Sequence, residues 1–236
     1  DVAVTESYKP IWNWKISQYN VSDIKFETMI KPQFADRIYF SNCLPVDPTS
    51  TRPTYFGDTD GSVGAVLFAL FATGHLGIMA EGENFLSQLL NIEDEVLNVL
   101  LRENFNEQLN TNVNTIISIL NRRDIILESL QPYLVINKDA VTPCTFLGDQ
   151  TGDRFSNICG DQFIIDLLKR IMSINENVHV LAGNHETNCN GNYMQNFTRM
   201  KPLDEDTYSG IKDYPVCFYD PKYKIMANHH GITFDD

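Results

Sequence analysis

The chain has 236 residues, of which 43% are hydrophobic, and its formal net charge is −13. A chain of this length and composition can bury a full core, whereas its acidity argues against a nucleic-acid partner. The longest apolar run, Val63 to Phe71, is far short of the roughly 18 residues that cross a bilayer. We therefore expect a soluble α/β protein without a transmembrane segment.

The cysteines are scattered along the chain and contain no C-x-x-C pair: Cys43, Cys144, Cys159, Cys189 and Cys217. An odd number of dispersed cysteines argues against a disulfide framework and against a cysteine-type zinc site. We therefore predict reduced thiols and a reducing cytoplasm.

The first half of the chain contains one strand–turn–helix unit. Residues 1–50 mix aromatic residues and prolines, which predicts an N-terminal elaboration with short strands. A strand ending at Tyr55-Phe56 leads into the turn Gly57-Asp58-Thr59-Asp60-Gly61. Ser62 to Thr73 is apolar and predicts a helix that ends at Gly74.

Residues 83–131 form a block with helical periodicity. The apolar positions that keep this period are Leu89, Ile92, Val96, Val99, Phe105, Leu109, Val113, Ile116, Ile117 and Leu120. Pro132 ends the run. The pattern predicts two or three long helices, folded as a hairpin, whose apolar faces bury one another so that the block packs on itself. A plain amphipathic helix that covers the core is an equally good interpretation.

The α/β pattern then returns, with strands that again end in turns of polar residues. The predicted elements are a strand at Cys144 to Leu147, a helix at Asp161 to Ile174, a strand at Val178 to Ala182 and a strand at Tyr223 to Ala227. The turns that follow the three strands are Gly148-Asp149, Gly183-Asn184-His185-Glu186 and Asn228-His229-His230-Gly231.

These turns carry the side chains that divalent cations bind. Ligands of α/β sheets bind at the carboxyl ends of the strands, so turns of this kind can converge on one point. The carboxylates of Asp58 and Asp149, the amide of Asn184 and the imidazole of His229 supply suitable oxygen and nitrogen donors. A carboxylate that bridges two metals would give a two-metal site for phosphoryl transfer.

The motifs resemble those of the phosphoprotein phosphatases, which are calcineurin-like metallophosphatases. That family carries Gly-Asp-x-His-Gly, Gly-Asp-x-x-Asp-Arg and Gly-Asn-His-Glu, followed by a strand ending in His-Gly-Gly. The resemblance covers residues 54–75 and 144–236 in order, and leaves residues 1–50 and the helical block outside it. It implies one catalytic domain over 1–236, with a β-sandwich flanked by helices and a helical insertion at 83–131.

The resemblance also implies a ligand set for two divalent metal ions. Asp58 would bind the first metal, Asp149 would bridge the two, and Asn184 and His229 would bind the second. We expect manganese, with iron or zinc as alternatives. Asp60 stands where the family has a histidine ligand, and its carboxylate can replace that ligand.

The same resemblance implies the catalytic roles. His185 would be the general acid, oriented by Asp153, and Arg154 would bind the phosphate. Hydroxide bound to the metals would attack the phosphomonoester directly, without a covalent phosphoenzyme. The substrate would be a protein phosphorylated on Ser, Thr or Tyr.

Three further departures from the family pattern bear on these roles. One additional residue separates Asp149 from Asp153. The fourth motif contains two adjacent histidines, so matching from Lys224 favours His229, whereas matching the His-Gly pair favours His230. The family has another metal-binding histidine and a second arginine after this motif, and the chain ends at Asp236, so we expect that the domain continues or that the site is incomplete.

The position of the helical block is similar to that in secreted bacterial effector phosphatases of the Wip group. This implies action in the cytoplasm of a host cell and a host protein bound by the insertion. Two alternatives stay open. One is a phosphodiesterase or nucleotide hydrolase on the same scaffold, and the other is a degenerate, non-catalytic effector that binds a host protein.

Overall fold

The computed structural model describes residues 12, 14–17, 31–34, 48–102, 109–150 and 158–181. In chain order its elements are β1 (Lys15–Ser17), α1 (Lys31–Phe34), β2 (Thr54–Phe56), α2 (Val63–Ala72), β3 (Leu76–Ile78), α3 (Glu83–Arg102), α4 (Leu109–Leu130), β4 (Leu134–Asn137), β5 (Cys144–Phe146), α5 (Ile158–Met172) and β6 (Val178–Val180). Within these ranges, no helix has both the length and the apolar character that crossing a bilayer requires.

One sheet is entirely parallel and has the strand order β2-β5-β6. In register, Phe56 lies beside Phe146, which lies beside Val180. The amide of Leu147 extends the pairing by donating to the carbonyl of Phe56 at 2.8 Å, and the amide of Leu181 donates to that of Phe146 at 2.9 Å. The carboxyl ends of all three strands therefore lie at one edge.

The second sheet has the order β1-β4-β3, with β4 parallel to β1 and antiparallel to β3. The sequence analysis did not predict β3 or β4. All four residues of β4 are buried, so the strand lacks the alternation of apolar and polar residues that identifies a half-buried strand.

Helix α2 is the centre of the main core. Nine of its ten residues are buried, and a helix that is apolar on all sides belongs inside a protein. Ser62 caps its first turn, since the Ser62 hydroxyl accepts from the amide of Ala65 at 3.0 Å. After Thr73 the chain turns at Gly74, whose φ is +75°. The predicted helix at Ser62 to Thr73 is therefore observed within one residue at each end.

Helices α3 and α4 pack against each other and form the unit that we call the hairpin. Its outer part has a small core of its own, formed by Ile92, Val96, Leu97, Ile119 and Leu120. Its base contributes to the main core through Leu86, Leu89, Leu90, Leu127 and Leu130. The sequence prediction of a block packed on itself therefore describes only the outer part, because the apolar stripes continue into the domain.

The remaining predicted elements have mixed outcomes. The strand at Cys144 and the helix that follows it are present as β5 and α5, and the strand at Val178 is present as β6. The predicted strand at Tyr223 to Ala227 lies outside the described residues. The calcineurin-like β-sandwich flanked by helices stays a prediction.

Candidate functional site

The first two motif turns lie side by side at the carboxyl edge of the parallel sheet. The turn Gly57 to Gly61 follows β2, and the turn Gly148 to Gln150 follows β5. Because β2 and β5 are paired neighbours, the two turns leave the sheet at adjacent positions.

Backbone hydrogen bonds tie the two turns together. The carbonyl of Asp149 accepts from the amide of Thr59 at 3.1 Å and from that of Asp60 at 2.9 Å. The carbonyl of Gln150 accepts from the amide of Gly61 at 3.2 Å and from the Thr59 hydroxyl at 3.2 Å. Four donors of the first turn region are thus held by two carbonyls of the second, so neither turn can move independently of the other.

Both turns contain an aspartate with a positive φ, 49° at Asp60 and 55° at Asp149. Aspartate is one of the few residues other than glycine that adopt this left-handed conformation, because its short side chain can bond locally. The neighbouring Gly61 and Gly148 also have positive φ. Backbone conformations of this kind cluster at functional sites.

The carboxylates of these turns are accessible from outside. Asp58 is exposed, and Asp60 and Asp149 are half-buried. Oxygen donors on adjacent turns suit a hard divalent cation. Among the residues that the structure describes, however, no three His, Cys, Asp or Glu side chains are grouped closely enough to hold a metal ion. The predicted two-metal site therefore stays a prediction.

The other predicted site residues lie outside the described ranges: Asp153, Arg154, Asn184, His185 and His229. In sequence, Asn184 comes three residues after Leu181, which is the last described residue. Their predicted roles as ligands, general acid and phosphate-binding group stay predictions.

A buried carboxylate that the sequence analysis missed lies behind the first turn. Glu93 on α3 is 4% exposed and accepts hydrogen bonds from the Ser62 hydroxyl at 2.7 Å and from the Gly64 amide at 3.1 Å. These donors belong to the N-terminal turn of α2, where backbone amides lack helical partners and a negative charge is favoured. Glu93 therefore joins the hairpin to the helix that begins directly after the first motif turn.

Burial raises the pKa of Glu93, while the charge of Arg123 on α4 and the hydrogen bonds from Ser62 and Gly64 oppose that rise. Arg123 is itself fully buried. A sequence signal for this pair exists, because each charge occupies an apolar stripe: Glu93 follows Leu90 by three residues, and Arg123 precedes Leu127 by four. Opposite charges in the facing stripes of two helices indicate a buried pair.

Two other buried titratable groups have structural roles. The thiol of Cys144 is buried in β5, and burial raises its pKa to about 12, partly offset by a hydrogen bond with Thr73. His75 is buried, and its Nε2 lies 2.8 Å from the carbonyl of Thr142. Burial lowers the pKa of His75 to about 4, partly offset by that hydrogen bond. Neither group lies in the turns.

Known proteins are similar to this chain over a region that includes the motif turns. A family model described as "Domain of unknown function (DUF4049)" matches residues 49–236. The chain is also 40% identical, over 98% of its own length, to the uncharacterized protein YhiL of Escherichia coli (strain K12), and it spans 43% of the length of that relative. No solved structure matches the chain. Because the family model covers most of the chain, the chain belongs to the DUF4049 family.

Proposed function

We propose that this chain is a metal-dependent phosphoprotein phosphatase that hydrolyses phosphomonoesters on Ser, Thr or Tyr with two divalent metal ions, manganese being the expected metal. The observation that carries the proposal is the tie between the first two motif turns. The Asp149 carbonyl accepts from the amides of Thr59 and Asp60 at the edge where ligands of parallel sheets bind.

The register of the sheet adds support. Strand β6, which precedes the Gly183-Asn184-His185-Glu186 motif in the sequence, pairs in parallel with β5. Three of the four motifs therefore follow neighbouring strands that share one direction. Ligands of parallel sheets bind at this edge, so the sequence places three of the motifs where a site is expected.

The chemistry fits the charge of the chain. A protein with a net charge of −13 needs local positive charge to hold a phosphate group. Divalent cations would supply that charge and would activate water for phosphoryl transfer. In the proposal, Asp58 and Asp149 hold the cations, Arg154 binds the phosphate through its bidentate fork, and His185 protonates the leaving oxygen.

The test combines metal binding with turnover. Mn²⁺ binding is measured by calorimetry, and phosphate release is measured on phosphoserine, phosphothreonine and phosphotyrosine peptides. Asp149→Asn is expected to weaken Mn²⁺ binding and to abolish turnover. Asp139→Asn is the control, because Asp139 is an exposed acid paired with Lys138 at 3.1 Å in a turn after β4. Equal effects of both variants would contradict the assignment of Asp149.

His185→Ala separates catalysis from metal binding. Loss of a general acid typically costs about 10²–10⁴-fold in rate, and we expect Mn²⁺ affinity to change little. A variant that loses its metals instead would make His185 a ligand.

The alternatives have distinct outcomes in the same assay. Hydrolysis of bis-p-nitrophenyl phosphate or of a nucleotide, without release from phosphopeptides, would support a diesterase or nucleotide hydrolase. Absence of both Mn²⁺ binding and turnover would support a non-catalytic protein. The setting that we propose, a secreted effector in the host cytoplasm that binds a host protein through the hairpin, rests on the resemblance and is tested by a translocation reporter fused to the chain.

A further inference from the structure

We propose that Glu93 is a positioning residue through which the hairpin holds the turn Asp58 to Gly61 in place, so that displacement of the hairpin regulates the site. The regulatory part of this inference rests on the proposed function. The anchoring part is a statement about the fold and can be tested without a metal.

The hairpin contacts the start of α2 through Glu93. The Glu93 carboxylate accepts from the Ser62 hydroxyl at 2.7 Å and from the Gly64 amide at 3.1 Å. Both bonds are buried, and breaking a buried hydrogen bond leaves a donor or acceptor without a partner, which costs free energy. The fit is close, because a Cβ added at Gly64 would lie 2.6 Å from a Glu93 oxygen and 2.7 Å from Leu90. The carboxylate therefore fixes the start of α2 against α3.

Further hydrogen bonds connect the start of α2 to the motif turns. The Ser62 amide donates to the carbonyl of Thr59 at 2.8 Å, and the Thr59 amide donates to the carbonyl of Asp149 at 3.1 Å. A continuous hydrogen-bonded path therefore runs from Glu93 through Ser62 and Thr59 to Asp149. Only one residue, Gly61, separates Ser62 from Asp60.

Position 93 on the apolar stripe of α3 holds a carboxyl group. A buried charge is costly unless it is paired, and an apolar residue at position 93 would continue the stripe of α3 without that cost. Burial raises the pKa of Glu93, and the charge of the buried Arg123 opposes that rise, so α3 and α4 both supply groups to this junction. The start of α2 is thus bound by the Glu93 carboxyl group, and its orientation depends on the position of both hairpin helices.

These contacts allow the position of the hairpin to regulate the motif turns. The outer part of the hairpin has a core of its own and the base belongs to the main core, so a molecule that binds the outer part can tilt the hairpin about its base. Such a tilt would move Glu93 relative to α2 and would loosen the turn that carries Asp58 and Asp60. Coupling of this kind needs an element whose arrangement biases both sites.

The experiment compares Glu93→Gln with Val96→Ala by native-state amide hydrogen exchange. Val96 is fully buried in the outer core, one turn from Glu93 on the same helix, so its truncation destabilises the hairpin without touching the junction. We expect Glu93→Gln to accelerate exchange in residues 59–65 by at least about tenfold, because an NH2 group replaces one of the two oxygens that accept hydrogen bonds from Ser62 and Gly64. Val96→Ala should leave those residues protected as in the wild type.

Unchanged exchange in Glu93→Gln, or equal acceleration in both variants, would overturn the anchoring. If Glu93→Gln does not fold, Ser62→Ala removes the hydrogen bond to Glu93 together with the cap on the Ala65 amide and leaves the hairpin intact, and the same criterion applies to residues 59–61, which lie outside the capped turn.

Mn²⁺ binding by calorimetry then tests the regulatory part. Binding weakened about tenfold or more in Glu93→Gln, at wild-type affinity in Val96→Ala, supports positioning of the site, and equal affinity in all three proteins overturns it. If the wild type binds no Mn²⁺, the proposed function fails, while the exchange rates still decide whether Glu93 anchors the turn.

Discussion

Protonation of His75 should destabilise the folded protein in a pH range where few other side chains titrate. His75 is fully buried, and its Nε2 donates to the carbonyl of Thr142 at 2.8 Å. Burial lowers its pKa from 6.5 to about 4. The unfolded chain therefore binds a proton on this histidine at a higher pH than the folded chain does.

The sign and size follow from linkage. Between these two pKa values the unfolded state binds more protons, so the free energy of unfolding falls as the pH falls. The contribution of His75 is complete above the unfolded pKa and is lost as the pH falls toward the folded one. From these pKa values, the loss between about pH 7.5 and about pH 5 is about 2 kcal/mol.

Urea unfolding across this pH range measures the effect in the wild type and in His75→Gln. The glutamine amide can still donate to Thr142 but does not titrate. Trp12 and Trp14 are natural fluorescence probes, because both are buried and each ring lies edge-on to Phe163 with ring centres 5.1 Å apart. Carboxylates titrate in both proteins, so their contribution cancels in the difference.

The difference in unfolding free energy between wild type and His75→Gln should shrink by about 2 kcal/mol on acidification from about pH 7.5 to about pH 5. A difference that stays constant with pH would show that His75 titrates normally in the folded state, and the argument from its burial would be wrong.

Three further predictions follow from close packing. Gly64→Ala should cost about 1–3 kcal/mol of stability, because the added Cβ overpacks against Glu93, although the same change in an open helix stabilises. Thermal unfolding measures the effect, and Gly57→Ala is the control, because no atom lies within 4 Å of its added Cβ. Cys144, with its pKa raised to about 12, should resist alkylation by iodoacetamide until the protein unfolds, and rapid labelling in the native state would contradict its burial. Excision of 83–130 should prevent folding, because the base of the hairpin belongs to the main core; a shortened protein with a cooperative melt would show that this part of the core is dispensable.

The local elements were predictable because their signals are short-range. The helix α2 begins at a serine cap and ends before a glycine with positive φ, and both signals are visible within a few residues of sequence. The strands β2, β5 and β6 were found because each is a short apolar run followed by a turn. The positions of Asp58 and Asp149 at strand ends followed from that pattern.

The tertiary structure decided which of these elements meet. Pairing of β2 with β5, and of the Asp149 carbonyl with the amides of Thr59 and Asp60, joins segments about ninety residues apart, and no local pattern specifies such a contact. The burial of Glu93 was missed although it lies on an apolar stripe, because a charged residue on a helix is normally solvated. Its place inside the protein depends on donors supplied by α2 and on the charge of Arg123 from α4. Periodicity determined that the hairpin is helical, whereas only the packing of its base into the main core made it part of the domain.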